Sequence, residues 1–416
     1  MFPLVNYRHR MAWIRILAVS ACILGSASSQ NFSLLVTDSN PLGIGDFVPG
    51  GLDLGMPGLG GTGMESGIKG GFGYGAGLES VYDSNFGLTE DNEQSEVSLL
   101  FSPWLQYFSD PEGGARVSLT ASYTPIFRAY QHNSDLNDVD QTGDVTLNFV
   151  GGKTEISLFA RYNELSATDR LTGNFVAGSL LTGGVRATRQ IGPRTTLNAG
   201  LSMAESDFGS SGEEGSQVLT ANFGGIWEIT TRTGLGSSVR YTQTESDNTG
   251  TREAWALLAE LRYRMGERIW LSASLGPEFA KDSETDETSV GLAGDLSARY
   301  VINERWTWVT TARTATVPSP SDAGYLVNNT LLRSGLEHQR NRSSISGGFE
   351  FNYSDYEKVG AVPDRDNEKN LSLYLGYARN LFKERVAFNS RVNYTLNKGE
   401  TDWNQLQLTL GLNVAF

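Results

Sequence analysis

Residues 406–416 read LQLTLGLNVAF, and every second residue of this stretch is apolar up to the last position of the chain. In an extended strand, successive side chains point to opposite faces. One face therefore carries Leu406, Leu408, Leu410, Leu412, Val414 and Phe416. The sequence predicts a final strand whose apolar face is covered either by the core of a packed sheet or by lipid.

The composition limits the class of protein. The chain has 416 residues and a formal net charge of -14, whereas nucleic-acid binding is favoured by clustered Lys and Arg. Its single cysteine, Cys22, allows no internal disulfide and no thiolate metal site. A chain of this length forms two or three soluble domains or one large barrel, and no nucleic-acid partner is expected.

The start of the chain has the order of a secretory signal. The basic segment MFPLVNYRHRMAWIR precedes the apolar run ILAVSACILG, and small residues follow in GSASSQ. We predict a signal peptide at residues 1–29, cleaved near Ser29, with Met11 as an alternative start. The rival interpretation is a lipoprotein signal at Cys22. Downstream, no stretch approaches the roughly 18 apolar residues of a membrane-spanning helix.

Residues 30–70 contain the stretch NPLGIGDFVPGGLDLGMPGLGG, which is too rich in glycine and proline for a helix or a central strand. We predict a flexible N-terminal extension. Because Leu, Met and Phe recur within it, the alternative is a partial plug of a lumen. Residues 71–416 then form the folded domain.

Short polar turns recur after residue 70 at intervals of roughly 35 to 41 residues, as expected of a repeated hairpin unit. They are SDPEGG, VGGK, IGPR, TTRTG, MGER, INER, HQRNR and LFKER. Between consecutive short turns lie two extended segments and one longer polar loop, such as QHNSDLNDVDQ or KDSETDE. Short turns at one end and long loops at the other are typical of an outer-membrane barrel. The pattern predicts an all-β, transmembrane, antiparallel up-and-down β-barrel of about 18 strands, with 16 as the alternative.

The strands alternate apolar and polar residues, for example in VSLTASY and TLNAGLSM. A soluble β-sandwich also has one apolar and one polar face. Two features favour a membrane barrel: the runs often exceed the five or six residues of globular strands, and aromatic residues lie near strand ends, where interfacial girdles place them. The expected girdle residues are Trp104, Tyr107, Tyr123, Tyr162, Trp227, Tyr241, Tyr263, Tyr300, Trp306, Tyr377 and Tyr394.

If the apolar faces point at lipid, the opposite faces enclose water. Strand parity places these charged residues inside: Arg161, Arg240, Glu260, Arg262, Asp295, Arg299, Arg333, Glu337, Glu350 and Arg391. The functional interpretation is a pore whose transverse field sorts solutes. The structural interpretation is a set of cross-strand ion pairs that brace the wall. Because a barrel of this strand number is wide enough for water unless a segment plugs it, we expect an aqueous channel.

Acidic residues concentrate in the long loops: Asp135, Asp138, Asp140, Glu213, Glu214, Asp282, Glu284, Asp286, Glu287, Asp364 and Asp366. None of these loops has the D-x-D-x-D-G form of a calcium site, so no metal site is predicted and a solvated rim is expected. Negative potential at the mouth of a pore draws cations inward. A weak preference for cations follows.

Catalysis is not expected from this sequence. After the leader, its only histidines are His132, in a loop, and His338, near a short turn. Glu337 and His338 are neighbours in a strand and point to opposite faces, so this carboxylate cannot orient this imidazole in a triad. We predict a protein that is not an enzyme and needs no cofactor.

The end of the chain also resembles the C-terminal signature of outer-membrane proteins, a terminal Phe preceded by alternating apolar residues. In those proteins the signature is recognised by the barrel-assembly machinery. The resemblance implies the same role for these residues: Leu408, Leu410, Leu412, Val414 and Phe416.

Two further elements resemble the opening of the β-barrel porin-2 type outer-membrane protein family of Gram-negative bacteria. YDSN at 82–85 matches its Tyr-Asp-x-Asn element, and SPWLQY at 102–107 matches its S-P-x-L-x-Y element. The resemblance implies an outer-membrane barrel without a defined substrate, in some members in exopolysaccharide or capsule settings. It transfers no catalytic residue.

The predicted function is a porin-like passive channel for small hydrophilic solutes in the outer membrane of a Gram-negative bacterium. Its expected partners are outer-membrane lipid, lipopolysaccharide and the barrel-assembly machinery, and the sequence leaves open whether the barrel is a monomer or a homotrimer. The alternative is a barrel component of exopolysaccharide or capsule export, or a structural outer-membrane protein without an open pore.

Overall fold

The computed structural model describes residues 71–91, 93–109, 115–168, 175–208, 215–246, 250–283, 288–318, 325–358, 365–382 and 385–416. The signal peptide predicted at residues 1–29 and the extension or plug predicted at residues 30–70 lie outside these described residues.

The described residues form 18 antiparallel strands in a single sheet. The strands are β1 (Gly71–Asp83), β2 (Glu96–Phe108), β3 (Val117–Tyr130), β4 (Asp138–Gly151), β5 (Thr154–Thr168), β6 (Phe175–Gln190), β7 (Thr195–Phe208), β8 (Ser216–Glu228), β9 (Thr233–Ser246), β10 (Gly250–Met265), β11 (Ile269–Asp282), β12 (Thr288–Asn303), β13 (Trp306–Pro318), β14 (Tyr325–Arg340), β15 (Ser343–Lys358), β16 (Glu368–Leu381), β17 (Val386–Lys398) and β18 (Trp403–Ala415). A short 3-10 helix, Ser134–Leu136, lies between β3 and β4. Within the described ranges, no helix has the length and apolar character needed to cross a bilayer.

Each strand pairs with its neighbour in the chain, and the sheet closes because β1 also pairs with β18. This seam runs over nine residue pairs and ends with Gly75 opposite Ala415. Beyond it, the Phe416 N–H donates to the Tyr74 carbonyl at 2.9 Å, and the two rings stack with centroids 5.6 Å apart. The predicted up-and-down barrel of about 18 strands is therefore confirmed.

The two ends of the barrel differ, because most connections at one end are shorter than those at the other. Turns of two to four residues join β4 to β5, β6 to β7, β8 to β9, β10 to β11, β12 to β13, β14 to β15 and β16 to β17, and eight residues join β2 to β3. The start of β1 and the end of β18 lie at this short-turn end. The opposite, long-loop end carries the loops that follow β1, β3 and every later odd-numbered strand, of which those after β9 and β17 have only three and four residues.

The outer face of the wall carries the alternating apolar residues. In the final strand, Leu408, Leu410 and Leu412 are 38%, 57% and 46% exposed, and they point away from the barrel interior. Strands of 13 to 16 residues, at about 3.3 Å per residue, are long enough to cross the ~25 Å apolar band of an outer-membrane barrel at a tilt.

Trp104 corrects one part of the expected aromatic girdle, because it lies on the inner face. It is directly opposite Gly75 on β1, and a Cβ atom on Gly75 would lie 2.5 Å from the indole Cζ2. The glycine therefore leaves the space that the indole ring occupies. The alternation of faces along β2 places Trp104 on the opposite face from Leu105 and Tyr107, which lie on the outer face. Proximity to a strand end does not distinguish these residues.

Replacing Gly75 with alanine is expected to destabilise the barrel. The new Cβ would lie 2.0 Å from the Val414 carbonyl oxygen across the seam, so β1 or β18 must move. We expect the free energy of unfolding to fall by about 1–3 kcal/mol, as for other overpacked sites, measured by urea unfolding in detergent. Gly291→Ala is the matched control, because a Cβ there meets nothing within 4 Å. Equal effects of the two substitutions would contradict this account of the seam.

Replacing Phe416 with alanine removes the ring contact with Tyr74 and leaves the backbone of the seam unchanged. Since an aromatic pair contributes about 0.5–1.5 kcal/mol beyond area burial, we expect a smaller folded fraction, measured in isolated membranes from the mobility of unheated samples on gels. The control is Phe382→Ala, at the same end of the barrel, where the side chain is 79% exposed. An equal folded fraction for the two variants would exclude a special role of Phe416.

Candidate functional site

The interior of the barrel is the candidate site, because the charged residues predicted for the inner face occupy inner-face positions. In each strand they alternate with exposed apolar residues: Arg240 follows Val239, which is 40% exposed, and Arg262 precedes Tyr263, which is 39% exposed. Their side chains fall into three groups that differ in their partners. These groups separate wall-bracing charges from charges available to a solute.

The first group forms cross-strand ion pairs. The pairs are Arg161 Nε with Asp144 at 3.5 Å, Arg313 Nε with Asp295 at 3.6 Å, and Arg333 Nη2 with Glu350 at 2.6 Å. Each arginine lies seven residues from the short-turn end of its strand, so the pairs share one level. Because most of these side chains are partly exposed, each pair contributes no more than about 1 kcal/mol. For these residues the bracing interpretation holds.

The second group consists of arginines stacked on aromatic rings of the inner face. Arg299 lies over Trp270 at 5.7 Å, and Arg391 lies over Tyr374 at 5.2 Å, both measured to the ring centroid. A third stack, Arg186 over Phe159 at 4.7 Å, is absent from the sequence prediction. The aromatic ring holds the guanidinium group in place through a cation–π contact, so no carboxylate is needed to position the arginine.

Glycines on the neighbouring strands make room for two of these rings. A Cβ on Gly184 would lie 2.9 Å from Phe159 Cζ, and a Cβ on Gly348, directly opposite Tyr374, would lie 2.7 Å from the Tyr374 hydroxyl. The rings therefore lie flat across the wall, and the arginines above them point to the lumen. Glycines opposite inner aromatic residues were the sequence signal for these stacks.

The third group comprises Arg240, Glu260, Arg262 and Glu337, which form no ion pair with any described residue. Arg240 Nη2 is buried without a hydrogen-bond partner. Arg262 has Glu260 two positions earlier on the same face, and Glu228 on the other side of β9, opposite Gly234.

Of four buried inner-face carboxylates on β1, β2 and β4, sequence reasoning missed three and assigned the fourth, Asp140, to a loop. Glu79, Asp83, Glu96 and Asp140 are 8%, 9%, 2% and 1% exposed. Asp83 accepts hydrogen bonds from Gln405 Nε2 at 2.7 Å and from Gln407 Nε2 at 3.0 Å, across the seam. Glu79 accepts one from Asn389 Nδ2 at 3.2 Å. Amide side chains on β17 and β18 mark partners for these carboxylates, but only strand closure brings them to β1.

Asp140 corrects the expectation of a solvated loop carboxylate. The structure places it within β4, and Arg128 Nη2 donates to it at 2.9 Å. A hydrogen-bonded ion pair offsets part of the cost of burying both charges. Of the other predicted rim residues, Glu213, Glu214, Glu284, Asp286, Glu287 and Asp364 lie outside the described residues.

Glu96 holds the loop between β3 and β4. Its carboxylate accepts from the backbone N–H groups of Gln131, His132 and Asn133 at 2.9–3.1 Å, and from Asn133 Nδ2 at 2.6 Å. Several donors converging on one ionised group form strong, charge-assisted hydrogen bonds. This carboxylate is therefore structural, although it lies at the long-loop mouth.

The loop between β1 and β2 turns inward at the same mouth. Leu88 is 4% exposed, and the ring of Phe86 packs edge-on against Tyr130, an inner-face residue of β3, with centroids 5.3 Å apart. Asn85 fastens the loop, since its Nδ2 donates to the carbonyls of Thr89 at 2.8 Å and Asn404 at 3.0 Å. The loop is therefore fastened against the inner face of β3 and against the start of β18.

At the rim, Lys398 and Asp402 form an exposed pair in which Lys398 Nζ donates to the carboxylate. This hydrogen bond holds the pKa of Asp402 below its ordinary value. Asp402 therefore stays negative, although Lys398 balances its charge.

The two histidines occupy separate places. His132 lies in the β3–β4 loop, with Nδ1 3.5 Å from Glu96. His338 lies on the outer face, where its ring is 4.3 Å from that of Trp306, and Glu337 lies on the inner face. Among the described residues, no group of three or more His, Cys, Asp or Glu side chains is arranged to hold a metal ion.

Inner-face charges of both signs occur around the ring. Four buried carboxylates lie on β1, β2 and β4, and β9 to β12 carry Arg240, Arg262, Arg264 and Arg299, which form no ion pair with any described residue. The same strands β10 to β12 also carry the inner-face carboxylates Glu260, Glu278 and Asp295.

No protein-family model and no curated protein matches this chain, so the resemblance to the porin-2 family stays a prediction. Similar solved structures include the outer membrane protein opdK from Pseudomonas aeruginosa, with 13% identity, a TM-score of 0.47 and coverage of 83% of this chain and 99% of that chain. They also include the FrpB iron transporter from Neisseria meningitidis, with 10% identity, a TM-score of 0.44 and coverage of 83% and 81%. OccAB3 from Acinetobacter baumannii has 9% identity, a TM-score of 0.44 and coverage of 84% and 100%.

Replacing Glu96 with glutamine is expected to release the β3–β4 loop. An amide group in place of one carboxylate oxygen faces backbone N–H donors, and charge-assisted bonds of about 1.5–3 kcal/mol are lost. Amide hydrogen exchange at residues 131–133 should accelerate about tenfold or more. Glu90→Gln, an exposed change in the neighbouring loop, is the control. Unchanged exchange in Glu96→Gln would contradict the anchoring role.

Proposed function

We propose that this protein is an outer-membrane β-barrel of a Gram-negative bacterium and acts as a porin-like passive channel for small hydrophilic solutes. The observation that carries this proposal is the pairing of an exposed apolar outer face with an inner face that holds arginines without carboxylate partners. Contact between the apolar outer face and water would be unfavourable, whereas the arginines of the inner face need water around them.

The outer face supports a location in lipid. Leu257, Leu275, Val290, Leu292 and Phe223 are each more than half exposed on adjacent or nearby strands. An apolar surface of this extent is rare on soluble proteins and is typical of a binding interface or a membrane surface. Closure of the sheet gives every strand two paired neighbours, as a lipid environment demands.

The inner face supports an aqueous lumen. The free energy cost of burying an unpaired charge away from water is several kcal/mol or more. Arginines without carboxylate partners therefore require water around them. Arg299 is exposed on the inner face, and its neighbour Trp270 is 37% exposed. A barrel of 18 strands has room for such a channel.

Charge at the long-loop end supports a weak preference for cations. The chain carries a formal charge of -14, and acidic residues predominate in its long loops. The potential at this mouth would concentrate cations and slow anions.

Secretion and assembly follow from the same proposal. Residues 1–29 would direct export and be cleaved, residues 30–70 would remain as an extension or a partial plug, and the row ending at Phe416 would engage the barrel-assembly machinery. Lipopolysaccharide would contact the outer face, with the barrel as a monomer or a homotrimer. A barrel without an open pore, or one that serves polysaccharide export, is the second candidate, and the inward loop between β1 and β2 is the feature that favours it.

Purified protein in planar bilayers is expected to give discrete conductance steps. In a potassium chloride gradient, the reversal potential should indicate that potassium is more permeant than chloride, because the long-loop mouth is acidic. Deletion of residues 30–70 should preserve or raise the conductance. A folded barrel that fails to conduct, both with and without residues 30–70, would contradict the channel proposal. A reversal potential of opposite sign would exclude only the cation preference.

A further inference from the structure

An indole ring is exposed on the inner face near the short-turn mouth. Trp270 is the second residue of β11, and it is 37% exposed to the lumen. It lies directly opposite Arg264 on β10 and Arg299 on β12, so the three residues form one row across the wall. A large aromatic side chain that faces a water-filled space leaves apolar surface available to a solute.

The two arginines on either side of the ring retain free donors. Arg299 lies over the indole at 5.7 Å, and Arg264 uses Nε to donate to the Gly266 carbonyl at 3.1 Å. Neither forms an ion pair with any described residue. The N–H groups that remain on both guanidinium groups can donate to an anion.

The surrounding charges do not neutralise this row. Arg262 lies one step further from the mouth, between Glu260 and Glu228, and Asp295 is engaged by Arg313. Ser272 and Ser297 occupy the next row and supply hydroxyl groups. The carboxylates of the neighbouring rows on β8, β10 and β12 therefore lie next to another arginine.

We propose that Arg264, Trp270 and Arg299 form a binding site for organic anions that join a carboxylate to a flat ring. A guanidinium donates two parallel hydrogen bonds to a carboxylate, and an indole face accepts an offset aromatic ring. The row supplies both groups at the spacing of adjacent strands, about 4.8 Å. This inference rests on the proposed channel function, because the solute must reach the lumen.

An anion-binding site at the short-turn end is compatible with acidic loops at the long-loop end. In outer-membrane barrels the short turns face the periplasm, and Trp270 and Arg264 each lie one residue from the strand end at a short turn. An anion reaches this row from the periplasmic side without passing the long acidic loops. Small-ion preference at one mouth and organic-anion binding at the other can therefore coexist.

The chain contains an internal control for this site. Arg186 lies four residues from the short-turn end of its strand, as Arg299 does, and it also stacks on an aromatic ring. However, Phe159 lies opposite Gly184 and Thr146, so no arginine lies directly opposite its ring. A general effect of lumen charge would involve both arginines equally, whereas the proposed site depends on Arg299.

Isothermal titration of the purified barrel in detergent tests the ligand chemistry. Benzoate supplies the carboxylate and the ring, acetate lacks the ring, and benzamide lacks the charge. We expect benzoate to bind at least about tenfold more tightly than either of the others, since each missing group removes one set of contacts. Equal affinity for acetate and benzoate would overturn the role of Trp270, and equal affinity for benzamide would overturn the role of the arginines.

Three substitutions test the residues. Arg299→Gln and Trp270→Leu should each weaken benzoate binding about tenfold, whereas Arg186→Gln should leave the affinity within about twofold. Arg299→Lys keeps the positive charge but loses the bidentate guanidinium group, so its affinity for benzoate should be intermediate. This variant replaces Arg299→Gln in the test if Arg299→Gln does not fold. Gel mobility of unheated samples reports folding of every variant. Equal losses in Arg299→Gln and Arg186→Gln, or none in Arg299→Gln, would overturn the proposal.

Conductance of the same preparations separates this inference from the channel proposal. A barrel that conducts but shows no ring-dependent and charge-dependent binding retains the channel function and excludes the site. A barrel that binds benzoate as described but does not conduct retains the site and excludes a passive channel.

Discussion

The closing contact between β1 and β18 is the constraint on which the rest of this structure depends. A sheet in lipid has no water to hydrogen-bond its edges, so the last strand must meet the first. The seam is closely packed, because Gly75 lies against the Val414 carbonyl and under the indole of Trp104. The seam also brings Asp83 to Gln405 and Gln407, which are more than 300 positions away in the sequence.

Closure also fixes the register, and the register decides which face meets which solvent. A shift of one residue in a strand would turn the apolar row of that strand inward and its inner-face charges outward. The long strands resist such a shift together, because each is paired on both sides. A simple alternation in sequence thereby becomes a wall with an apolar exterior and a charged interior.

The dependence of cross-strand contacts on closure and register explains what the sequence could and could not predict. Alternation, turn spacing and the apolar row that ends at Phe416 are local, and they suffice for the strand number, the direction of each strand and the face of each residue. Partners across strands are not local. Parity places Arg333 and Arg299 on the same face, but only the register shows that Arg333 meets Glu350 while Arg299 meets Trp270. Likewise, Asp140 reads as a loop carboxylate until its pairing opposite Ile126 brings it within reach of Arg128.

The division of the inner charges follows from the different demands of stability and transport. An ion pair between adjacent strands is satisfied within the wall, so it presents little net charge to a passing solute. A guanidinium held on an aromatic ring is oriented without being neutralised, because the ring quadrupole attracts the cation but leaves its N–H donors free. The level of Arg161, Arg313 and Arg333 therefore braces the wall, whereas Arg186, Arg299 and Arg391 keep their charge available. A wall that is braced and also presents charge to its interior needs both arrangements, and this chain places them at different depths of one barrel.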